Sequence, residues 1–471
     1  MSAATLSVDA YQLTTLLAHA EAGRLEQQLS MAFFFRKLPK QRNYVVFCGL
    51  RQILQHAAQM RLDESELRTL IDHPIIGPAL AAHPVVLASL RALDGFAGEI
   101  DALPEGTLAF AGPGLRTDGK PLLAAGTPIQ LYTPLLQVRT DLTRCKLIET
   151  PWLGRINYLS MVASKAARVV DVAQGKTVLE LGARRTHPDA SVDAAYAAYL
   201  AGASGTSNLG AQHRYGVPAA GTMDHFYVQA AERPGESVVQ SETDAFALFA
   251  RVFPTSATLL VDTYDTERGI RHAAAATGGK LRGIRLDSNV TPETVVAARR
   301  SLTELGAPHA QIFVSDGLDE FRVRALAGVA DGFGVGENIT CSPDAATGVG
   351  AVAKVVVNGY GKVTMKVARG SGKATLPGEL QVYRFADHDL IALHDEPAPS
   401  GGRPLLQPVW RGQAPVTELP RIDESRAQVR AQIEALPPSV RALEPAATPF
   451  ALVASDRLAE RIDTLVGEAG R

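Results

Sequence analysis

Two rhythms of apolar and polar positions divide this chain. In its second third, short apolar runs stop abruptly in polar residues, and stretches with helical spacing separate them. The runs are "ATLLVDTYD", "LRGIRLDSN", "AQIFVSDGLD" and "ADGFGVGEN", and the helices between them are "TERGIRHAAAAT", "TPETVVAARRSLTEL" and "LDEFRVRALAG". Successive runs lie roughly 25 residues apart, the repeat that βα units require. Upstream, "TVLEL" and "GVPAAGTMDH" read as further short strands, the second ending in Asp224 and His225. A long helix, beginning after Pro151, leads into this region.

The N-terminal third follows a different rhythm. Leu13, Leu16, Leu17 and Ala20 predict a helix over 9–23, and "SMAFFFRKLP" predicts a strand ended by Pro39. "RNYVVFCGLRQILQHAAQM" runs into a helix, residues 63–102 read as helical with proline interruptions, and "GTLAF" and "PIQLYTPLLQV" read as strands. Residues 1–147 are therefore expected to form a mixed α/β domain.

In each βα unit the polar residues stand at the C-terminal end of the strand, the face where parallel barrels gather their active-site loops. An acidic residue there has a second explanation, because Asp often caps the next helix. Capping does not explain Arg285 two residues before Asp287 in "IRLDS". "GFGVG" is a strand end whose glycines let backbone N–H groups approach a phosphate. Arg184 and Arg185 follow "TVLEL", and "GASGTSNLGA" is a small-residue stretch suited to close approach of a ligand.

Composition narrows the class. The chain has 471 residues, 46% hydrophobic and 20% charged, with a net charge of −2, which fits a folded protein of about two domains and offers no global field for nucleic acid or an anionic membrane. Cys48, Cys145 and Cys341 have no metal or disulfide spacing, so a reducing cytoplasm is expected. No secretory signal pattern or membrane-length apolar run is present, and there is no G-x-x-x-x-G-K-[ST] loop to hold ATP.

At this point the residues resemble a known family, nicotinate phosphoribosyltransferase. The resemblance runs through "DAYQLT", "FFFRKLP", "NYVVFCGL", "LIET", "SKAAR", "ELGARR", "GTSNLGA", "GTMDH", "LLVDTYDTERG", "GIRLDS", "SDGLDE", "GFGVG" and "KVTMKVARGSGKATLPGELQVYR". It implies an irregular (β/α) barrel of the type II phosphoribosyltransferase kind, packed on an α/β sandwich domain built from both chain ends. The expected division is 1–147 for the N-terminal α/β domain, 148–343 for the barrel, 344–420 for the return to the first domain, and 421–471 for a C-terminal helical tail. It further implies a homodimer with shared active sites, and a reaction joining nicotinate to phosphoribosyl pyrophosphate with coupled ATP hydrolysis and Mg²⁺. Nucleic acid and membrane are not expected partners.

The resemblance also implies roles. Asp287 would hold ribose hydroxyls or the metal, with Ser288 beside it on the substrate. Arg285 would contact nicotinate or the phosphates, and Arg184 would sit beside nicotinate. Gly317, Gly334 and Gly336 would cradle the 5′-phosphate. Arg36 and Lys37 would reach phosphates across the dimer, and Tyr11 would stack on the pyridine ring from the neighbouring subunit. His225 aligns with the histidine that ATP phosphorylates. Ser207 stands where the amide-using relative has an aspartate, which favours nicotinate over nicotinamide. The chain departs from the family pattern at Leu181 (usually Phe), Asn289 (usually Gly), Glu337 (usually Thr), and in Asp224 and Phe226 flanking the histidine. A phosphoribosyltransferase for another pyridine or aromatic base, and a catalytically weak nucleotide-binding regulatory homologue, stay open as alternatives.

Overall fold

The computed structural model describes residues 5–124, 126–278, 280–345, 348–367 and 373–469. The chain forms two compact units, one of residues 1–161 and 347–471, the other of residues 162–346. The boundary falls inside a helix, Leu142–Val172, that runs through Pro151 rather than starting after it. Proline in a helix interior costs about 3 kcal/mol. Here Leu147, Ile148, Trp152 and Ile156 are buried on the same helix, and that burial outweighs the lost hydrogen bond. The same continuity explains why the unit boundary lies downstream of the expected residue 148.

Each end of the chain contributes strands to both six-stranded sheets of the first unit. One sheet runs Ala351–Val357, Gln28–Phe35, Leu136–Asp141, Gly98–Ala102, Gln407–Gly412, Ala414–Pro415. Phe33 pairs with Leu136 on one side and Ala353 on the other. Phe33, Phe34 and Phe35 are all fully buried, and Phe34 stacks on Tyr132 with centroids 4.0 Å apart. Burial on both faces is why this strand reads as an unbroken apolar run instead of alternating. Two expectations are corrected here. Residues 98–102 form a strand, not the end of a helical region. The C-terminal tail holds a strand, Ala451–Ala454, which joins the second sheet beside Ala111–Leu115 and His388–Leu393. Four residues are too few for a period to declare itself.

Among the described residues the second unit carries six parallel strands: β1 (Thr177–Glu180), β2 (Gly205–Thr206), β3 (Thr258–Leu260), β4 (Gly283–Leu286), β5 (Gln311–Val314) and β6 (Gly332–Val335). Its helices are α1 (Pro188–Leu200), α2 (Leu209–Tyr215), α3 (His225–Ala230), α4 (Val238–Val252), α5 (Thr266–Thr277), α6 (Pro292–Glu304), α7 (Glu320–Leu326) and α8 (Glu337–Thr340). The sheet order is β2-β1-β6-β5-β4-β3. The first strand pairs with the last, as in a closed barrel, and the sheet is open only between β2 and β3. This is an irregular barrel, and residues 207–257 occupy the chain between its two open edges. The expected strand "GVPAAGTMDH" is irregular backbone with a single bridge from Thr206 to Ala219, and His225 begins α3.

Candidate active site at the C-terminal ends of the barrel strands

Polar side chains at the strand ends sort into two kinds. Asp224, Asp265 and Asp319 are helix N-caps, accepting from Tyr227 N, Arg268 N and Arg322 N at 2.8–2.9 Å. Asp224 therefore holds the start of α3 and does not orient the histidine beside it. Asp262 and Asp287 cap nothing. The backbone N–H of Asp287 donates to Asp262 Oδ2 at 2.6 Å, and Ser315 Oγ donates to Asp287 Oδ1 at 2.8 Å. Each carboxylate keeps its other oxygen toward His225, whose Nε2 lies 3.9 Å from Asp262 Oδ1 and 3.8 Å from Asp287 Oδ2. His225 Nδ1 is 3.1 Å from Thr263 Oγ1, which fixes the ring. The Asp262 side chain is only 3% exposed, and its Oδ1 is buried with no hydrogen-bond partner.

Arg285 projects from β4 into the same space. Its Nη1 donates to Thr222 Oγ1 at 2.8 Å, its Nη2 lies 4.0 Å from Asp287 Oδ2, and its Nε is buried without a partner. Burial is the largest influence on its charge and works against it. Asp287, Asp262 and Asp224 work for it, and Arg184 against. A partly paired, desolvated guanidinium beside an orphaned carboxylate oxygen is an arrangement that a polar ligand completes.

Two cavities meet here. The larger, about 460 Å³, is walled by Leu179, Leu181, Met223, Tyr227, Phe249 and Phe313. The smaller, about 300 Å³, is lined by Arg184, Arg185, Asp287, Ser315, Gly317, Gly334, Gly336 and Asn338. Ser207, Leu181, Met223, Asp224 and Arg285 belong to both linings. The structure thus combines an apolar chamber and a polar one with a shared wall, the pattern of a site for an aromatic ring joined to something highly polar.

Local constraints explain several odd residues. A Cβ on Gly334 would sit 2.3 Å from Leu181 Cδ1, so the leucine and the glycine fit each other. Gly317 and Asn289 have φ of +50° and +53°, the left-handed region that glycine and asparagine tolerate best. Glu337 pairs with Arg185 at 3.1 Å, which neutralises a carboxylate in the polar chamber's lining. Glu180, buried at the end of β1, accepts from Thr206 Oγ1 at 2.6 Å and from Gly182 N, tying β1 to β2; burial raises its pKa against both bonds.

Of the residues singled out from sequence, the structure gathers His225, Arg285, Asp287, Arg184, Ser207, Gly317, Gly334 and Gly336 around one place. Ser288 is exposed and lines neither chamber. Tyr11, Arg36 and Lys37 belong to the other unit. There Tyr11 is 51% exposed and the Arg36 guanidinium lies 5.5 Å from the Phe34 ring centroid. Asp262, Thr263, Thr222 and Ser315 were not singled out, and "LLVDTYDTERG" contains the signal for the first two. Among the described residues no group of three or more His, Cys, Asp or Glu is arranged to hold a metal. Asp262 and Asp287 nevertheless fit Mg²⁺, which binds through one or two carboxylates and completes its shell with substrate phosphates and water. Among the described residues no helix is long and apolar enough to cross a membrane.

Residues 6–157 match the nicotinate phosphoribosyltransferase (NAPRTase) N-terminal domain, and residues 177–374 match the NAPRTase family. Nicotinate phosphoribosyltransferase pncB2 of Mycobacterium tuberculosis is 37% identical over 481 residues, covering 99% of this chain and 93% of that protein. The crystal structure of human nicotinic acid phosphoribosyltransferase superimposes with a TM-score of 0.80 at 26% identity, over 97% of this chain and 99% of that one. Nicotinate-nucleotide pyrophosphorylase from Pyrococcus furiosus superimposes with a TM-score of 0.70 at 25% identity, over 92% and 96%.

Proposed function

The chain belongs to the nicotinate phosphoribosyltransferase family, and we propose that it joins nicotinate to phosphoribosyl pyrophosphate, releasing nicotinate mononucleotide and pyrophosphate in NAD salvage. The observation that carries this reading is the pair of chambers with Arg285 and Ser207 in their shared wall. The pyridine ring fits the apolar chamber and the phosphoribosyl pyrophosphate fits the polar one. Arg285 and the Ser207 hydroxyl then face the nicotinate carboxylate, a charge-assisted pairing that nicotinamide does not match.

In the reaction the pyridine nitrogen lone pair forms the bond to ribose C1, and pyrophosphate leaves with the electrons of the C1–O bond. Positive charge builds on the ribose as that bond breaks. Asp287, held by Ser315 and the Asp262 carboxylate, stabilises that charge or holds the ribose hydroxyls. Backbone at Gly317, Gly334 and Gly336 receives the 5′-phosphate. Mg²⁺, when bound at Asp262 and Asp287, supplies charge neutralisation for the pyrophosphate. Arg36, Lys37 and Tyr11 act, in this reading, from the second subunit of a homodimer.

ATP coupling runs through His225. With Nδ1 engaged by Thr263, Nε2 attacks the γ-phosphorus of ATP, the N–P bond forms and ADP leaves. Free thiols at Cys48, Cys145 and Cys341 fit a reducing cytoplasm.

The test is a panel of pyridine acids and amides with phosphoribosyl pyrophosphate and Mg²⁺, with and without ATP. The expected result is stoichiometric nicotinate mononucleotide and pyrophosphate, faster with ATP, and little product from nicotinamide. Absence of product from nicotinate overturns the substrate. Full transfer with neither ATP hydrolysis nor acid-labile phosphate on His225 overturns the coupling.

A further inference from the structure

The loop after β4 carries Asp287, and the loop after β5 carries Ser315 and Gly317. Arg322, on α7, lines neither chamber, yet it ties these loops together. Its Nη2 donates to the Val290 carbonyl at 3.1 Å and to Asp316 Oδ2 at 2.9 Å, and its Nη1 donates to the Asp316 carbonyl. Asp316 Oδ2 in turn accepts from Val290 N at 2.9 Å. The peptide groups of Val290 are therefore gripped on both sides, N–H by the aspartate and C=O by the arginine. Asn289, in its left-handed turn, lies between this grip and the Asp287–Ser288 segment.

We infer that Arg322 and Asp316 form a positioning clamp that sets Asp287 against the ribose, with no contact of their own to substrate; this rests on the proposed reaction. A lysine at 322 supplies one donor point where the geometry uses a planar fork, so Arg and Lys are not interchangeable here. Small misplacement of a reacting group can cost about 100-fold in rate. Arg285 takes its hydrogen bond from outside the clamp, at Thr222, so contacts to the base depend on the clamp less than Asp287 does.

The experiment compares wild type with Arg322→Ala, Arg322→Lys, Asp316→Asn and the Arg322→Ala/Asp316→Asn double variant. Steady-state kinetics for both substrates are measured with and without added guanidinium ion at a concentration below that which unfolds the protein. Amide hydrogen exchange at Val290 is followed alongside. The clamp predicts that kcat/KM for phosphoribosyl pyrophosphate falls about 100-fold in Arg322→Ala, while KM for nicotinate and the melting temperature hold. It predicts that guanidinium restores part of the loss, that lysine does not, and that the double variant is no worse than the worse single variant. Unchanged kinetics, or equal losses for both substrates that track a fall in melting temperature without guanidinium rescue, overturn it. If wild type does not turn over nicotinate, the functional reading fails. The clamp then stands or falls on whether Val290 exchange accelerates in Arg322→Ala.

Discussion

The second unit contains two sets of opposite charges built to different standards. Lys165 and Arg168 of the long helix meet Glu320 of α7 at 2.5 and 3.0 Å, with Asp344 3.3 Å from the lysine. Lys165, Arg168 and Glu320 are all buried. At the strand ends, the opposite charges of Arg285, His225, Asp287 and Asp262 approach one another only to 3.8–4.0 Å. The first set spends its charge on itself and holds a helix in place. The second holds its opposite charges apart, which is costly for a fold on its own and sensible for a site that a ligand completes. Spacing, not the kinds of residue, separates a structural cluster from a reactive one.

Mutations sharpen that contrast. Glu320→Ala removes the buried carboxylate that Lys165 and Arg168 share and should lower stability by about 3–5 kcal/mol, read by denaturant unfolding. A loss below about 1 kcal/mol would mean that the buried cluster does not hold the unit together. Asp287→Asn should show the reverse: stability little changed, and kcat down about 100-fold, about 2.7 kcal/mol in the barrier. Near-normal turnover at saturating substrate removes Asp287 from the site. Ser207→Asp should move the ratio of kcat/KM for nicotinate over nicotinamide down by about tenfold, about 1.4 kcal/mol. An unchanged ratio would show that position 207 does not face the pyridine substituent.

The smallest effect is in pH. Burial pushes Glu320 up, but Lys165, the bond to it, and Arg168 win, and its pKa lies below the ordinary glutamate range. A depressed carboxylate stabilises the fold above its unfolded pKa, about 4.3, and that contribution is lost as pH falls through the folded value. The stability gap between wild type and Glu320→Gln should therefore be full at pH 6 and narrow on acidification below about pH 4.3. A gap independent of pH from 6 down to 3 would contradict the charge pairing.

Much of the site was legible because Arg285, Asp287 and His225 stand where apolar runs break off. The barrel followed from the βα repeat and the family resemblance, but its opening between β2 and β3 did not, since strand pairing is not local. Asp262 escaped notice for a physical reason. It lies three residues before Asp265, a true helix cap, and nothing in the spacing says which of the two is buried with an empty oxygen. Asp224 shows the converse, looking like a partner for His225 and serving α3 instead. The run "GVPAAGTMDH" has a strand's apolar density, yet only Ala219 finds a bridge there. Positions 11, 36 and 37 were legible only through the resemblance, because their expected task lies in a second subunit.

In the proposed reaction the loosely spaced charges at the strand ends receive phosphoribosyl pyrophosphate. Ligand-induced stabilisation reads this directly, because a ligand at 100 times its Kd stabilises the folded state by about 2.7 kcal/mol. Phosphoribosyl pyrophosphate with Mg²⁺ should raise the melting temperature of wild type, and Asp287→Asn should lose most of that rise while unfolding at the same temperature as wild type when no ligand is added. No rise in wild type, or an equal rise in Asp287→Asn, would contradict the account.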